Sequence, residues 1–189
     1  DYNNISIYVK ACAIFSWSVM RKDVDDILIS CLFHPNKLIR ETAAYTINEL
    51  KPDCLSQIYP RLEPSYVTDI IASLENIKSG NDLLVLEKIE FLKKCYGFRK
   101  ISEDILIEVA MRLRFHKIKE NENLDVSGNR HEFSLIFIYR GEIEVNFTKS
   151  GSSGFSEHDI IYADPFLSAN HNQLEVKALR DTVIFSVRD

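Results

Sequence analysis

Leu135-Ile136-Phe137-Ile138-Tyr139-Arg140-Gly141-Glu142-Ile143-Glu144-Val145 is the stretch on which the fold turns. Its first half belongs to a β-rich run, Phe133–Tyr139. Its second half alternates, with Ile143, Val145 and Phe147 set against Glu142, Glu144 and Asn146. A period of two puts one set on each face, which is the mark of a half-buried strand. Arg140-Gly141 sits between the two runs. A tight strand-to-strand turn often needs a positive φ, which glycine adopts at little cost. The stretch predicts two strands joined by a glycine turn.

Downstream, Ser150-Gly151-Ser152-Ser153-Gly154 predicts a flexible turn, too short for an interdomain linker. Ile160–Tyr162, Leu174–Ala178 and Val183–Val187 predict further short strands. Upstream, Phe115, Lys117 and Lys119 alternate with His116 and Ile118. Many short strands at regular spacing indicate a sandwich or barrel. The first hundred residues carry a helical period instead. Ile5, Val9, Cys12, Ala13 and Trp17 form one stripe. Val24, Ile27, Leu28, Cys31 and Leu32 form a second, opened by Asp23 as N-cap and broken by His34-Pro35-Asn36. Ile39, Ala43, Ile47 and Leu50 form a third, ended by Lys51-Pro52. A short helix is expected over Asp53–Tyr59. Ser65 is expected to cap a helix carrying Val67, Ile70, Ile71, Leu74 and Ile77. Gly80-Asn81-Asp82 separates it from Leu84–Tyr96.

Asp26–Phe33, a turn with Pro35, then Leu38-Ile39-Arg40-Glu41-Thr42-Ala43-Ala44 through Leu50 resembles a HEAT repeat. In that family an Arg follows an aliphatic residue early in the second helix, and small residues let the helices pack closely. Amphipathic helix pairs of this length cannot bury their apolar faces alone, so they stack. The second half resembles a cyclic-nucleotide-binding domain. Leu86–Lys94, Phe98, Ile101–Leu106 and Ala110–Arg114 are similar to its entry helices, and Lys117–Leu124 to its first strand and turn. Leu135–Val145 is similar to its aliphatic strand, glycine turn and following strand, and Val176–Phe185 to its closing strands. The fold class expected is α+β. A HEAT-like α-helical stack over 1–80 would be followed by a domain over 81–189, with lead-in helices at 81–114 and a β-roll (a double-stranded β-helix, or jelly roll) at 115–189.

The resemblance implies a phosphate-binding cassette within Asp159–Ala178. The family places backbone N–H groups at a short helix start there, a Gly-Glu pair beside the ribose, and an Arg on the cyclic phosphate. In this chain the Gly-Glu positions fall near Tyr162 and Ala163, and the Arg position near Asn172. Lys177 is the only cation in the window. Losing a charge-assisted contact to a buried phosphate costs about 2–5 kcal/mol, or about 30-fold or more in affinity. The cassette therefore reads as degenerate, and no cyclic nucleotide is expected to bind.

Other groupings read as ordinary surface. A cupin-like metal site wants two histidines two residues apart on one strand. His131-Glu132, His158-Asp159 and His171 do not supply that spacing and read as surface histidines, so no metal is expected. Arg112, Arg114, His116, Lys117 and Lys119, with Arg99 and Lys100, form a basic cluster interspersed with acids and read as a solvated face. Asp23, Asp25 and Asp26 read as a helix N-terminus. Cys12, Cys31, Cys54 and Cys95 form no CxxC pair and read as buried free thiols. No Ser-His-Asp order and no P-loop is present, so no catalytic residue, cofactor or enzyme activity is expected.

The 189 residues carry a net charge of −5. Residues 1–100 hold 13 basic and 13 acidic side chains and 101–189 hold 10 and 15, so the excess lies in the second half. That balance argues against a general nucleic-acid binder, which needs a basic face. No apolar run approaches the roughly 20 residues needed to span a bilayer. The chain begins at Asp1 and is expected to be a piece of a longer protein. The function expected is a non-catalytic regulatory or protein-interaction region that meets a protein partner or other domains of its own polypeptide. It is expected in the cytoplasm, or on the cytosolic side of a membrane protein. Certain bacterial transporters of the ATP/ADP carrier type are similar in carrying helical repeats followed by such a domain. The alternatives are a ligand sensor for a cyclic nucleotide or other small anion, and part of a transcription regulator.

Overall fold

The computed structural model describes residues 5–20, 23–125, 135–147, 151–162 and 174–187. The chain divides into two compact units, Asp1–Ile89 and Glu90–Asp189. Among the described residues, helices precede two antiparallel sheets, so the fold class is α+β.

The first unit is helical: α1 (Ile7–Met20), α2 (Asp26–Cys31), α3 (Lys37–Leu50), α4 (Pro52–Ile58), a 3-10 turn at Tyr59–Arg61, α5 (Pro64–Lys78) and the start of α6 (Val85–Lys94). Helix α3 packs against α1, α2, α4 and α5. Its Ala43, Ala44 and Ile47 join Leu28, Leu32, Leu55, Ile58, Leu62 and Ile70 in one core. Small side chains at Ala43 and Ala44 let neighbouring helices approach closely. Proline sets two boundaries. Lys51 precedes Pro52 and leaves the helical region (φ −149°, ψ 83°), because the proline ring clashes with a helical residue before it.

Three local expectations need correction. Asp25, not Asp23, caps α2, because its extended backbone aims the carboxylate at the Leu28 N–H (2.9 Å). Ser65 does not cap α5. That helix starts from Glu63 with Pro64 at its first position, where a missing N–H and a preset φ cost nothing. The apolar stripe of α1 does not mark its buried side either. Ala11 is fully buried while Ile5, Val9 and Ala13 are exposed. A helix that is apolar nearly all round carries no periodic signal to choose its face.

The second unit holds the end of α6, a 3-10 turn at Tyr96–Phe98, α7 (Glu103–Arg112) and β1 (Arg114–Ile118), β2 (Asn123–Asp125), β3 (Leu135–Arg140), β4 (Glu142–Phe147), β5 (Gly151–Ser156), β6 (Ile160–Tyr162), β7 (Leu174–Ala178) and β8 (Thr182–Val187). One sheet runs β1-β8-β3-β6 and the other β2-β7-β4-β5. The pairing is nested: β4 with β5, β3 with β6, β2 with β7 and β1 with β8, all antiparallel. That order is a long hairpin rolled up on itself, which is a jelly roll.

Strand β3 is buried on both faces. Ile136 and Ile138 point into the roll, where they meet Ile118, Ile143, Val145, Ile161, Val176, Ala178 and Ile184. Phe137 and Tyr139 point the other way, onto Phe91 of α6 at ring-centre distances of 6.5 and 5.3 Å, and Phe98 lies 5.3 Å from Phe137. Two buried faces produce a continuous apolar run. In β4 Ile143 and Val145 are fully buried while Glu142, Glu144 and Asn146 are half-buried, which produces alternation. Gly141 between them has φ +106°.

Of the segment expected as a turn at Ser150–Gly154, Gly151–Gly154 instead belongs to β5, paired with β4 from Glu142↔Ser156 to Phe147↔Gly151, and Ser150 lies outside the described residues. Glycine and serine have low strand preference, but β5 is an edge strand with mostly exposed side chains. There the backbone of β4 decides the conformation and little packing is required.

Candidate functional site

The interior of the roll lies between its two sheets, and strand alternation assigns its walls. On β8, Thr182, Ile184 and Ser186 face inward and are buried. On β7, Val176 and Ala178 face inward, and both belong to the aliphatic core. On β1 the face that carries core residue Ile118 also carries His116, which is half-buried, and Arg114, which is exposed at the start of the strand. Phe115 faces outward and stacks edge-on against Phe185 at 5.7 Å.

Each sequence-predicted site residue has a definite place or lies outside the described residues. Tyr162 ends β6 opposite Leu135 and is 67% exposed. Lys177 sits between the inward Val176 and Ala178, so it projects from the outer face of its sheet, with Asn123 and Glu144 as cross-strand neighbours. Ala163 and Asn172 lie outside the described residues, as do His131, Glu132 and His171. The described members, Tyr162 and Lys177, are on different sheets.

A polar pair that sequence reading passed over lies on the inner wall. His116 Nε2 is 2.8 Å from Ser186 Oγ, and Ser186 is fully buried. Arg114 is the cross-strand partner of Ser186. In the sequence His116 reads with Arg112, Arg114, Lys117 and Lys119 as part of a solvated face. Alternation separates it from Lys117, which is exposed. The signal was present in the period of two. Phe115 hid it, because an aromatic residue invites the inward assignment, whereas here the outer face of the sheet is also covered.

His158 is likewise not a plain surface histidine. It lies in the β5–β6 turn with φ +73°, and its ring stacks on Phe91 at 5.6 Å. Its N–H donates to Ile138 O (2.9 Å), and Asp159 O accepts from Ile138 N–H (3.1 Å). These bonds tie the turn to β3. Cys95 is fully buried beside the same cluster, with its thiol pushed up to about 12 by burial and then by the Asp159 charge. An inert structural thiol fits that environment. Among the described residues no group of three His, Cys, Asp or Glu side chains is placed to hold a metal ion, and no described helix is long and apolar enough to cross a membrane.

In the first unit a buried polar cluster centres on α3. Arg40 donates to His34 O (2.8 Å) and Pro35 O (2.6 Å), and its guanidinium lies 3.7 Å from the Tyr66 ring centre. Glu41 accepts from the Ser73 hydroxyl (2.5 Å) and from the Val85 N–H (2.8 Å), which opens α6. Burial raises the pKa of Glu41, and those two bonds and the charges of Lys88 and Lys37 only partly oppose it. The cavity lined by Lys37, Arg40, Glu41, Asp69, Ile70 and Ser73 is about 10 Å³, room for at most one water. The cluster joins α3 to the turn before it, to α5 and to the start of α6.

No known protein-family description matches the chain, and no curated protein matches it. Solved structures do. A regulatory subunit of a cAMP-independent protein kinase A from Trypanosoma brucei is similar at 18% identity and a TM-score of 0.44, over 55% of this chain and 41% of that one. The regulatory domain of Toxoplasma gondii protein kinase A, crystallised with cAMP, is similar at 16% identity and a TM-score of 0.44, over 55% of this chain and 41% of that one. The heme domain of CooA from Carboxydothermus hydrogenoformans is similar at 14% identity and a TM-score of 0.33, over 42% of this chain and 56% of that one. The chain thus covers less than two thirds of each of these relatives.

Proposed function

We propose that this chain is a non-catalytic regulatory or protein-interaction region of a larger protein, with a β-roll that has lost cyclic-nucleotide binding. In this reading residues 1–80 form a HEAT-like stack that offers a surface to a partner, and 81–189 form the roll with its lead-in helices. The observation that carries it is the inner wall of the roll, where nine buried aliphatic side chains meet. A cyclic phosphate is a full negative charge. It enters such an interior only where cations or N–H groups replace its water. The sequence between Asp159 and Ala178 offers neither a Gly-Glu pair nor an Arg, and its one lysine, Lys177, projects from the outer face. The HEAT-like reading draws support from α3, which packs on four other helices through small residues and uses Arg40 to hold the turn before it. The proposed setting is the cytosolic side of a membrane transporter, as in carriers of the ATP/ADP type.

A second reading is a sensor for a small anion. It is favoured by His116 and Ser186 on the inner wall, with Arg114 on the same face.

Titration calorimetry with cyclic AMP and cyclic GMP tests the first reading. No heat of binding is expected up to millimolar nucleotide, and micromolar binding of either sinks it. The second reading stands or falls on the His116 ring resonances. If millimolar inorganic phosphate leaves them in place, it is removed.

A further inference from the structure

We propose that the free edge of β5 is a docking site for an extended peptide carrying basic residues at alternate positions, which adds to the sheet as a further strand. Among the described residues β5 is the last strand of its sheet. Its pairing with β4 is regular over six residue pairs, without a register shift. Its sequence, Gly-Ser-Ser-Gly-Phe-Ser, has no lysine and no proline. Edge strands are ordinarily blunted by those residues, by bulges or by brevity, and β5 has none of these protections.

The direction of its polar groups follows from its neighbour. Glu142 O accepts from the Leu179 N–H (2.9 Å), so Glu142, Glu144 and Asn146 turn their backbone groups toward β7. Ile143, Val145 and Phe147 are left to bond their β5 partners Phe155, Ser153 and Gly151. The backbone groups of Ser152 and Gly154 therefore point away from β4. The Ser156 N–H, which shares that direction, is taken by Asp159 (2.8 Å), and this sets the end of the open edge.

Charge selects the occupant. On the outer face Glu142 and Glu144 stand beside Ser156 and Gly154. Gly154 has no side chain, and among the described residues nothing lies within 4 Å of where a Cβ would be. An added strand would run about 10 Å from β4, two strand spacings away. A glutamate and a lysine reaching toward each other over a bare glycine span that gap. Lys177 lies on the far side of Glu144 from the edge. The alternate residues of the added strand would face Phe155, which is half-buried at the rim of the core, and should be apolar. Main-chain bonds supply affinity in this mode, and alternate side chains supply selectivity. A second copy of β5 fits less well, because its own Glu142 and Glu144 would be brought toward these. The site is separate from the roll interior and does not depend on what that interior binds.

The probe is an acetylated octapeptide of alternating lysine and valine, titrated into the full chain at low and moderate salt. Amide shifts are followed in two-dimensional NMR spectra. Shifts at Ser152 and Gly154 are expected, with affinity falling as salt rises. At least tenfold weaker binding is expected for the glutamate–valine peptide, and for the same lysine peptide N-methylated on the amides that face β5. A Glu142→Gln/Glu144→Gln variant, whose thermal midpoint is measured alongside, should also bind about tenfold more weakly. Equal binding by the N-methylated peptide, unchanged binding by the variant, or shifts confined to other surfaces would each overturn the proposal. So would a dimer in sedimentation whose interface maps to Ser152 and Gly154.

Discussion

Glu41 is buried in the first unit and holds two donors, the Ser73 hydroxyl and the Val85 N–H. Its raised pKa fixes the sign of its contribution to stability. Below the unfolded carboxyl pKa, about 4.3, it is protonated in both states. As pH rises the unfolded chain ionises first, while the folded chain keeps its proton up to the higher folded pKa. Stability is therefore lost across that window and is flat above it. Glu41→Gln resembles the protonated form: its carbonyl can accept from Val85 while its amide donates to Ser73, whose hydroxyl turns round. The variant is expected to lose less stability between pH 4 and 7 than the parent, in urea unfolding followed at several pH values. Parallel curves would show that the carboxyl does not titrate in this range. Little of this was legible in the sequence. Arg40 and Ala43-Ala44 stood out as a helix-packing pattern, but the acid between them reads as surface until α5 and α6 close over it.

The β3–β4 hairpin shows which elements a sequence announces. Alternation in β4 and the apolar run of β3 were readable because packing on one or both faces writes itself into residue choice. Gly141 was readable because its backbone needs φ +106°. A Cβ there would lie 2.7 Å from the Thr182 Cα. That contact is backbone and cannot swing aside. The Thr182 hydroxyl also serves the turn: it accepts from the Glu142 N–H (3.1 Å) and donates to Arg180 O (2.7 Å). Gly141→Ala should therefore lower stability by at least about 2 kcal/mol, from strain at positive φ and overpacking. The check is a reduced urea midpoint with an unchanged slope. Strand β5 was not readable, for the complementary reason: Gly and Ser residues on an exposed edge pack on almost nothing, and their conformation is borrowed from β4. The inward face of β1 failed differently. Its period was visible, but its sheet is covered on both sides, so hydrophobicity could not say that His116 rather than Phe115 faces in.

In the second unit the nested pairing places partners far apart along the chain. His116 and Ser186, which touch across β1 and β8, are 70 residues apart. Loop closure over such distances must precede the contacts that reward it, and folding rates fall accordingly. Stopped-flow refolding read by far-ultraviolet circular dichroism should show the β-signal arriving in milliseconds to seconds, well after the helical signal. Simultaneous microsecond arrival of both would contradict this. The same nesting has a consequence during synthesis. Of the eight described strands β8 is the last to be made, yet it lies inside its sheet, between β1 and β3. Until it emerges from the ribosome, β1 has no partner and β3 presents Ile136, Phe137 and Ile138 beside an open edge. Translation therefore holds this half of the protein in an aggregation-prone form almost to the end of the roll, and a chaperone that shields β3 during that interval would raise its yield more than any change to the finished surface.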